Sequence, residues 1–429
     1  MYSASEYEEF RCLVDYLVLN SIDSGMLDFS DLLISLPSIY PGTVLRSIDR
    51  LASAGNIRNE ISQKIKESAC SWKDQGRTRL ISITESLSRL PVPHPLDYEW
   101  RFGREAISHI LDRGLNLTRP EDVIVLFGVP SVFWEAIRVG YPRRLILFET
   151  NRSMTEFFSG QNLHGGTVIP CDLMADDLPR ISSNLVISDP PWYEECVKSF
   201  LWSATLVCCQ GGFMLLSTPP IGTRPGISRE WKETVGWAEN LGFALIEVIE
   251  GILPYVSPPF ERNALKAEGL RRVPRGWRRG NLAVFERKCC PEIPRPRGCL
   301  TEQGWIDETI QGIRFRLRRQ DNASCFSDPC LEKIVDGDIL TSVSRLDERR
   351  ASVDIWTSGN RIFKCRNTWA AQLIMKAIAD GGSPDEKIAG TLGRPLTDDE
   401  SVMVHIAENQ LRSIVQSEQA EYLLDEEDV

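Results

Sequence analysis

The chain has 429 residues, 42% of them hydrophobic and 25% charged, with a net charge of −11. That length leaves room for two or three domains, and the balance is that of an ordinary globular protein. The negative total excludes nucleic-acid binding through overall charge, so any such contact needs local basic patches. Twelve cysteines are scattered without a CxxC, and the only histidines are His94, His109, His164 and His405. Neither a disulfide framework nor a metal site is expected from those spacings. Residues 1–9 are acidic and polar, unlike a secretory signal, and no apolar run is long enough to cross a bilayer. A cytoplasmic location without membrane contact is the expectation.

Residues 1–85 read as a helical, winged-helix-like domain. Residues 27–36 suggest a short capped helix. After Tyr40-Pro41-Gly42, a second helix has apolar Val44, Leu45, Ile48 and Leu51 and stops at Gly55. Ile57 would begin a wing strand, and Arg46 with Arg50 would face outward where a recognition helix meets DNA. A module for protein contact fits the same pattern.

Residues 86–290 alternate strand and helix patterns, the signature of a doubly wound α/β sheet. Strands are predicted at Val123–Phe127, 145–148, 167–169, 185–187, 213–216, 243–249 and 282–285, with a long insertion from Gly251 to Gly280. In such a sheet, ligands gather outside the carboxyl ends of the strands. Gly128 ends the first strand, where a missing side chain admits close approach to the backbone. Glu149 ends the second, where an acid commonly bonds a ribose diol. Asp172 follows the third and Asp189 the fourth.

Asp189-Pro190-Pro191-Trp192 is the most informative stretch. A carboxylate and a proline carbonyl can each accept one hydrogen of an amino group, leaving the nitrogen lone pair to attack. The prolines fix φ and withhold backbone donors, and the indole offers a flat stacking face beside Tyr193. Thr223-Arg224 after the fifth strand lies on the same side and would bring Arg224 to substrate. In residues 271–280, Trp277, Arg278 and Arg279 would stack a base and hold phosphates; a solvated basic turn with Trp277 buried is the competing reading.

Residues 120–290 resemble the class I adenosylmethionine-dependent methyltransferase fold. The DPPW resembles that of enzymes modifying the exocyclic amine of adenine or cytosine. The resemblance implies a Rossmann-like sheet, S-adenosyl-L-methionine as cofactor, Glu149 on its ribose, Asp172 on its adenine, and Asp189 with Pro190 clamping the amine, in a catalytic motif that Pro191 and Trp192 complete. Arg101, in the Pro-rich stretch before the first strand, would bond the cofactor carboxylate; a plain linker packing on the sheet fits equally. The first loop departs from the family in having a single glycine, Gly128-Val129-Pro130.

The domain order is similar to that of the bis-aminopropyl spermidine synthases, the branched-chain polyamine synthases, which implies decarboxylated adenosylmethionine and a polyamine as the alternative. That family carries Gly-Asp-Asp-Asp where this chain has Gly128-Val129-Pro130-Ser131, although Glu194 and Glu195 offer other charge. A non-catalytic scaffold on the same fold is the third possibility.

Residues 291–429 follow a Pro-rich hinge and read as a C-terminal α+β domain with an acidic tail, a possible surface for a protein partner. Ile313, Phe315 and Leu317 alternate with Arg314, Arg316 and Arg318 as in a half-buried strand. Helical patterns follow at 369–379 and 401–415.

Overall fold

The computed structural model describes residues 2–70, 85–297, 304–320 and 326–427. Two compact units emerge: one from 1–91, 100–257 and 270–300, the other from 92–99, 258–269 and 301–429.

Local sequence sets the helices of the first segment. Ser3 opens α1 (Ala4–Asp23) with a capping box shared with Glu6, and Asp28 caps α2 (Phe29–Ser35). Pro41 fills the first turn of α3 (Pro41–Ser53), whose Val44, Ile48 and Leu51 are buried as their spacing requires. Among the described residues no wing strand follows. Gly55 ends the helix at φ +74°, Ile57 is buried in the turn, and α4 (Asn59–Cys70) begins two residues later. The helix wins because Ser62, Ile65 and Ala69 supply another stripe at helical spacing. Of the two arginines expected to face outward, Arg46 is exposed and donates to the Thr43 hydroxyl, whereas Arg50 turns back to Asp15 of α1, 2.6 Å from Oδ1.

The short α5 (Glu85–Ser88) precedes β1 (Arg101–Phe102) and α6 (Arg104–Leu117). The alternating elements then run β2 (Val123–Phe127), α7 (Pro130–Arg138), β3 (Arg144–Glu149), α8 (Arg152–Ser159) and β4 (Gly166–Pro170). They continue with β5 (Ser183–Ser188), α9 (Glu194–Val207), β6 (Cys208–Thr218), α10 (Ile227–Asn240), β7 (Phe243–Val256), α11 (Pro259–Ala267), which belongs to the second unit, and β8 (Arg279–Arg287). The sheet order is β1-β7-β8-β6-β5-β2-β3-β4, parallel from β6 to β4, with β8 antiparallel to both its neighbours.

Alternation along each strand divides the core. Ile124, Leu126, Leu147 and Ile187 pack beneath α6 and α7 on one face. Val125, Phe127, Phe148 and Val186 pack beneath α9 and α10 on the other. Chain order reverses between β2 and β5, so the crevice at their carboxyl ends is the place where such a sheet receives a ligand.

The sixth predicted strand, 243–249, proves longer than its sequence suggested. β7 runs through Gly251 to Val256, with register shifts between Leu245 and Glu247 and between Ile249 and Leu253. Gly251, at φ +61°, bulges without ending the strand, and its amide donates to Asn281 Oδ1.

In the second unit, β9 (Trp305–Ile310), β10 (Ile313–Arg318), β11 (Leu331–Lys333), β12 (Ile355–Thr357) and β13 (Ile362–Cys365) form an antiparallel sheet ordered β11-β13-β12-β10-β9. Helices α12 (Thr368–Asp380), α13 (Pro384–Leu392) and α14 (Asp398–Glu427) cover its core. This is the expected α+β arrangement. Arg314 is buried where alternation put it outside, because Asp97 and Asp307 neutralise it. The side chains of the acidic tail lie outside the described residues. No helix among the described residues is long and apolar enough to cross a membrane.

Candidate active site

The end of β5 delivers Asp189 to the crevice. Its amide donates to the Phe127 carbonyl at 3.2 Å, extending the β2–β5 ladder by one step. Gly128, at φ +64°, sits so close that a Cβ there would lie 3.3 Å from the Asp189 carbonyl oxygen. The glycine is therefore needed for both its backbone angle and its lack of bulk. Beyond Asp189 the two prolines lead to a tight turn in which the Tyr193 amide donates to the Pro191 carbonyl at 2.6 Å, and α9 begins. Among the described residues no donor reaches the Pro190 carbonyl. Ser188 Oγ, just before the motif, is buried and has no partner among them.

The Asp189 carboxyl is pushed from its ordinary 3.8 up to about 7 by burial, against the opposing pull of the Tyr255 hydroxyl and, more weakly, of the nearby Ser217 hydroxyl. The Tyr255 hydroxyl donates to Asp189 Oδ1 at 2.7 Å, and Ser217 Oγ lies 2.5 Å from the Tyr255 oxygen. Sequence reasoning missed both residues. Trp192 packs its ring edge-on against Tyr255, with centroids 5.6 Å apart. Gly280 makes room for this: a Cβ there would come within 3.2 Å of both rings and 3.1 Å of Ser217 Oγ.

At the neighbouring strand ends, Glu149 is buried and its Oε1 receives the Asn151 amide at 2.8 Å. Asn151 caps α8 with its Oδ1, while its buried Nδ2 finds no acceptor. An acid beside an unsatisfied amide donor fits a ribose diol, which can donate to one and accept from the other. Nothing in the sequence pattern singled out Asn151. Asp172 follows β4, and the adjoining Cys171 amide donates to the Glu149 carbonyl, so the two acids end neighbouring strands. The Asp172 side chain folds its own loop, accepting from the Met174 amide at 2.9 Å.

The remaining sequence candidates are placed differently. Arg101 lies on β1 and donates to the Pro91 carbonyl. The Arg224 guanidinium bonds the Tyr2 hydroxyl and Glu230. Trp277 is 1% exposed and packs edge-on against Tyr40, so the base-stacking reading is corrected to a core residue. Arg278 stacks on Trp277 at 4.7 Å and lies 5.3 Å from the Trp100 ring and 6.0 Å from that of Trp192. Arg279 opens β8, and its amide and carbonyl both bond Ser38 Oγ.

No family model matches the sequence, and no curated protein matches it. Among solved structures the chain is similar to a mutein of the branched-chain polyamine synthase from Thermus thermophilus. The identity is 14% and the TM-score 0.52, over 69% of this chain and 95% of that one. A TehB-like SAM-dependent methyltransferase from Corynebacterium glutamicum overlaps 43% of this chain and 89% of its own, with 12% identity and a TM-score of 0.31. A putative RNA methyltransferase from Pyrococcus horikoshii overlaps 48% and 100%, with 15% identity and a TM-score of 0.33. The first likeness, together with the strand order, establishes the architecture: a Rossmann-like sheet of the class I methyltransferase type behind a helical N-terminal segment.

Proposed function

We propose that the chain is an adenosylmethionine-dependent N-methyltransferase acting on an amino group of a planar substrate such as a nucleobase. The observation carrying this reading is Asp189 at the switch point of the sheet, with its carboxyl raised to about 7 and the Pro190 carbonyl beside it. Asp189 and Pro190 each accept one hydrogen of the amine, which turns the lone pair toward the cofactor side of the crevice. Asp189 then takes the proton that nitrogen gives up on alkylation, a transfer suited to a group titrating near neutrality. Trp192 offers a face to the substrate plane. Glu149 and Asn151 would hold the cofactor ribose, with Gly128 keeping the backbone close. When bound, the sulfonium cofactor supplies the electrophilic carbon and departs as a neutral thioether. Orientation by these fixed groups provides much of the rate.

Aminopropyl transfer to a polyamine is the second reading. It draws on the polyamine synthase structure, which holds N4-aminopropylspermidine and 5′-methylthioadenosine. Methyl transfer is preferred because the loop after β2 has no acids for a polycation: Val129 and Ser131 are buried at the start of α7.

The test is transfer of label from methyl-labelled adenosylmethionine to nucleic acid, nucleosides or polyamines. Asp189→Ala should lower turnover by about a thousandfold, as expected for loss of a base that also positions the nucleophile. Cofactor affinity should change by less than about threefold, since uniform binding is untouched. Undiminished transfer by the variant would overturn the assignment.

A further inference from the structure

Two buried hydroxyls stand behind Asp189 with no part in the reaction just described. Tyr255 comes from the end of β7, 66 positions along the chain, and Ser217 from the end of β6. The Tyr255 ring is fixed by Phe102, with centroids 4.7 Å apart, and by the edge-on Trp192. A phenol has one proton to donate. Because Tyr255 gives it to Asp189 Oδ1, the hydroxyl of Ser217 must donate to the Tyr255 oxygen. Both bonds thus point toward the carboxylate.

The array is closed at its far end, with Ser217 1% and Tyr255 2% exposed. Burial and the Asp189 charge push the Tyr255 phenol well above its ordinary range, so it keeps its proton. It offers no path by which the amine proton could reach solvent.

Resting on the transferase reading, we propose that Tyr255, oriented by Ser217, is a positioning residue that occupies Oδ1 of Asp189, so that Oδ2 meets the amine. The same array favours the ionised carboxylate in a crevice whose burial favours the neutral acid. The charged and titratable groups of this unit that act on the pair are Asp189, Tyr255 and the Arg278 guanidinium, which acts on the phenol.

The test compares wild type, Tyr255→Phe and Ser217→Ala in two measurements. The first is the pH dependence of kcat with labelled adenosylmethionine. Tyr255→Phe should lower kcat by about tenfold and move the acidic limb to higher pH by about one unit, because a donor to the charged form is gone. Ser217→Ala should move it the same way by less, and KM for the cofactor should stay within about threefold. The second is a carbon-13 NMR titration of the Asp189 carboxyl, identified by its disappearance in Asp189→Asn. Its midpoint should rise in Tyr255→Phe whether or not a substrate has been found. An unchanged midpoint, or a fall in kcat with no movement of the limb, would overturn the proposal. If Asp189→Ala stays active while the NMR midpoint still moves, the array stands and the reaction assignment falls.

Discussion

Asp189 is held at a cost to the fold. Its carboxyl goes from 3.8 to about 7 on burial, so the folded state binds the proton more tightly than the unfolded one. The resulting stability is fully present below pH 3.8 and lost as pH rises through about 7. Asp189→Asn, which stays neutral, should therefore match wild type near pH 4 and exceed it above pH 7, by an amount on the order of 2–4 kcal/mol. Denaturant unfolding at pH 4, 6 and 8 checks this; equal stability at pH 8 would remove the burial argument. The aspartate was legible in the sequence because the apolar run Leu185-Val186-Ile187 closes a strand that ends one position before it. Tyr255 and Ser217 were not, since only the pairing of β6, β8 and β7 brings them together. Trp277 was left between two readings, an exposed stack suggested by its neighbouring arginines and burial under a basic turn, and packing on Tyr40 decides for burial.

Among elements, the parallel strands were readable because each is a short apolar run closed by a turn signal. β7 was cut short at Gly251 because a glycine in a strand reads as a stop; the bulge shows it bending a strand that continues to the site. The wing at Ile57 failed through the opposite error, an apolar residue assigned to a strand although the next helical stripe was about to begin. The loop after β2 is where an element meets the chemistry. Gly128→Ala would place a methyl 3.3 Å from the Asp189 carbonyl at a φ of +64°. The substitution should destabilise the protein by about 1–3 kcal/mol, the usual cost of strained backbone at such a position. It should also lower transfer by shifting the clamp. Thermal unfolding and turnover measured on one preparation would check both, and an unchanged pair would show that the close approach does not matter.

At the scale of the whole molecule, the chain passes into the second unit at 92–99 and again at 258–269 before its final stretch. The first passage follows Pro91 and carries Pro93 and Pro95, and the second opens on Pro258-Pro259. The second unit has its own buried charge network, in which Arg314 and Arg316 hold Asp97 down to about 2. The first unit contains every residue assigned to the reaction, so binding to the intact chain reports on the account as a whole. The decisive measurement is calorimetric titration of the full chain with adenosylmethionine and with its decarboxylated form. Wild type should bind adenosylmethionine in preference. Glu149→Ala should weaken binding by about tenfold or more, the worth of a lost charge-assisted hydrogen bond, while Asp189→Asn leaves it within about threefold. Absence of heat with either nucleoside at millimolar concentration, or equal affinity in Glu149→Ala, would contradict the placement of the cofactor. Preference for the decarboxylated form would replace methyl transfer with aminopropyl transfer.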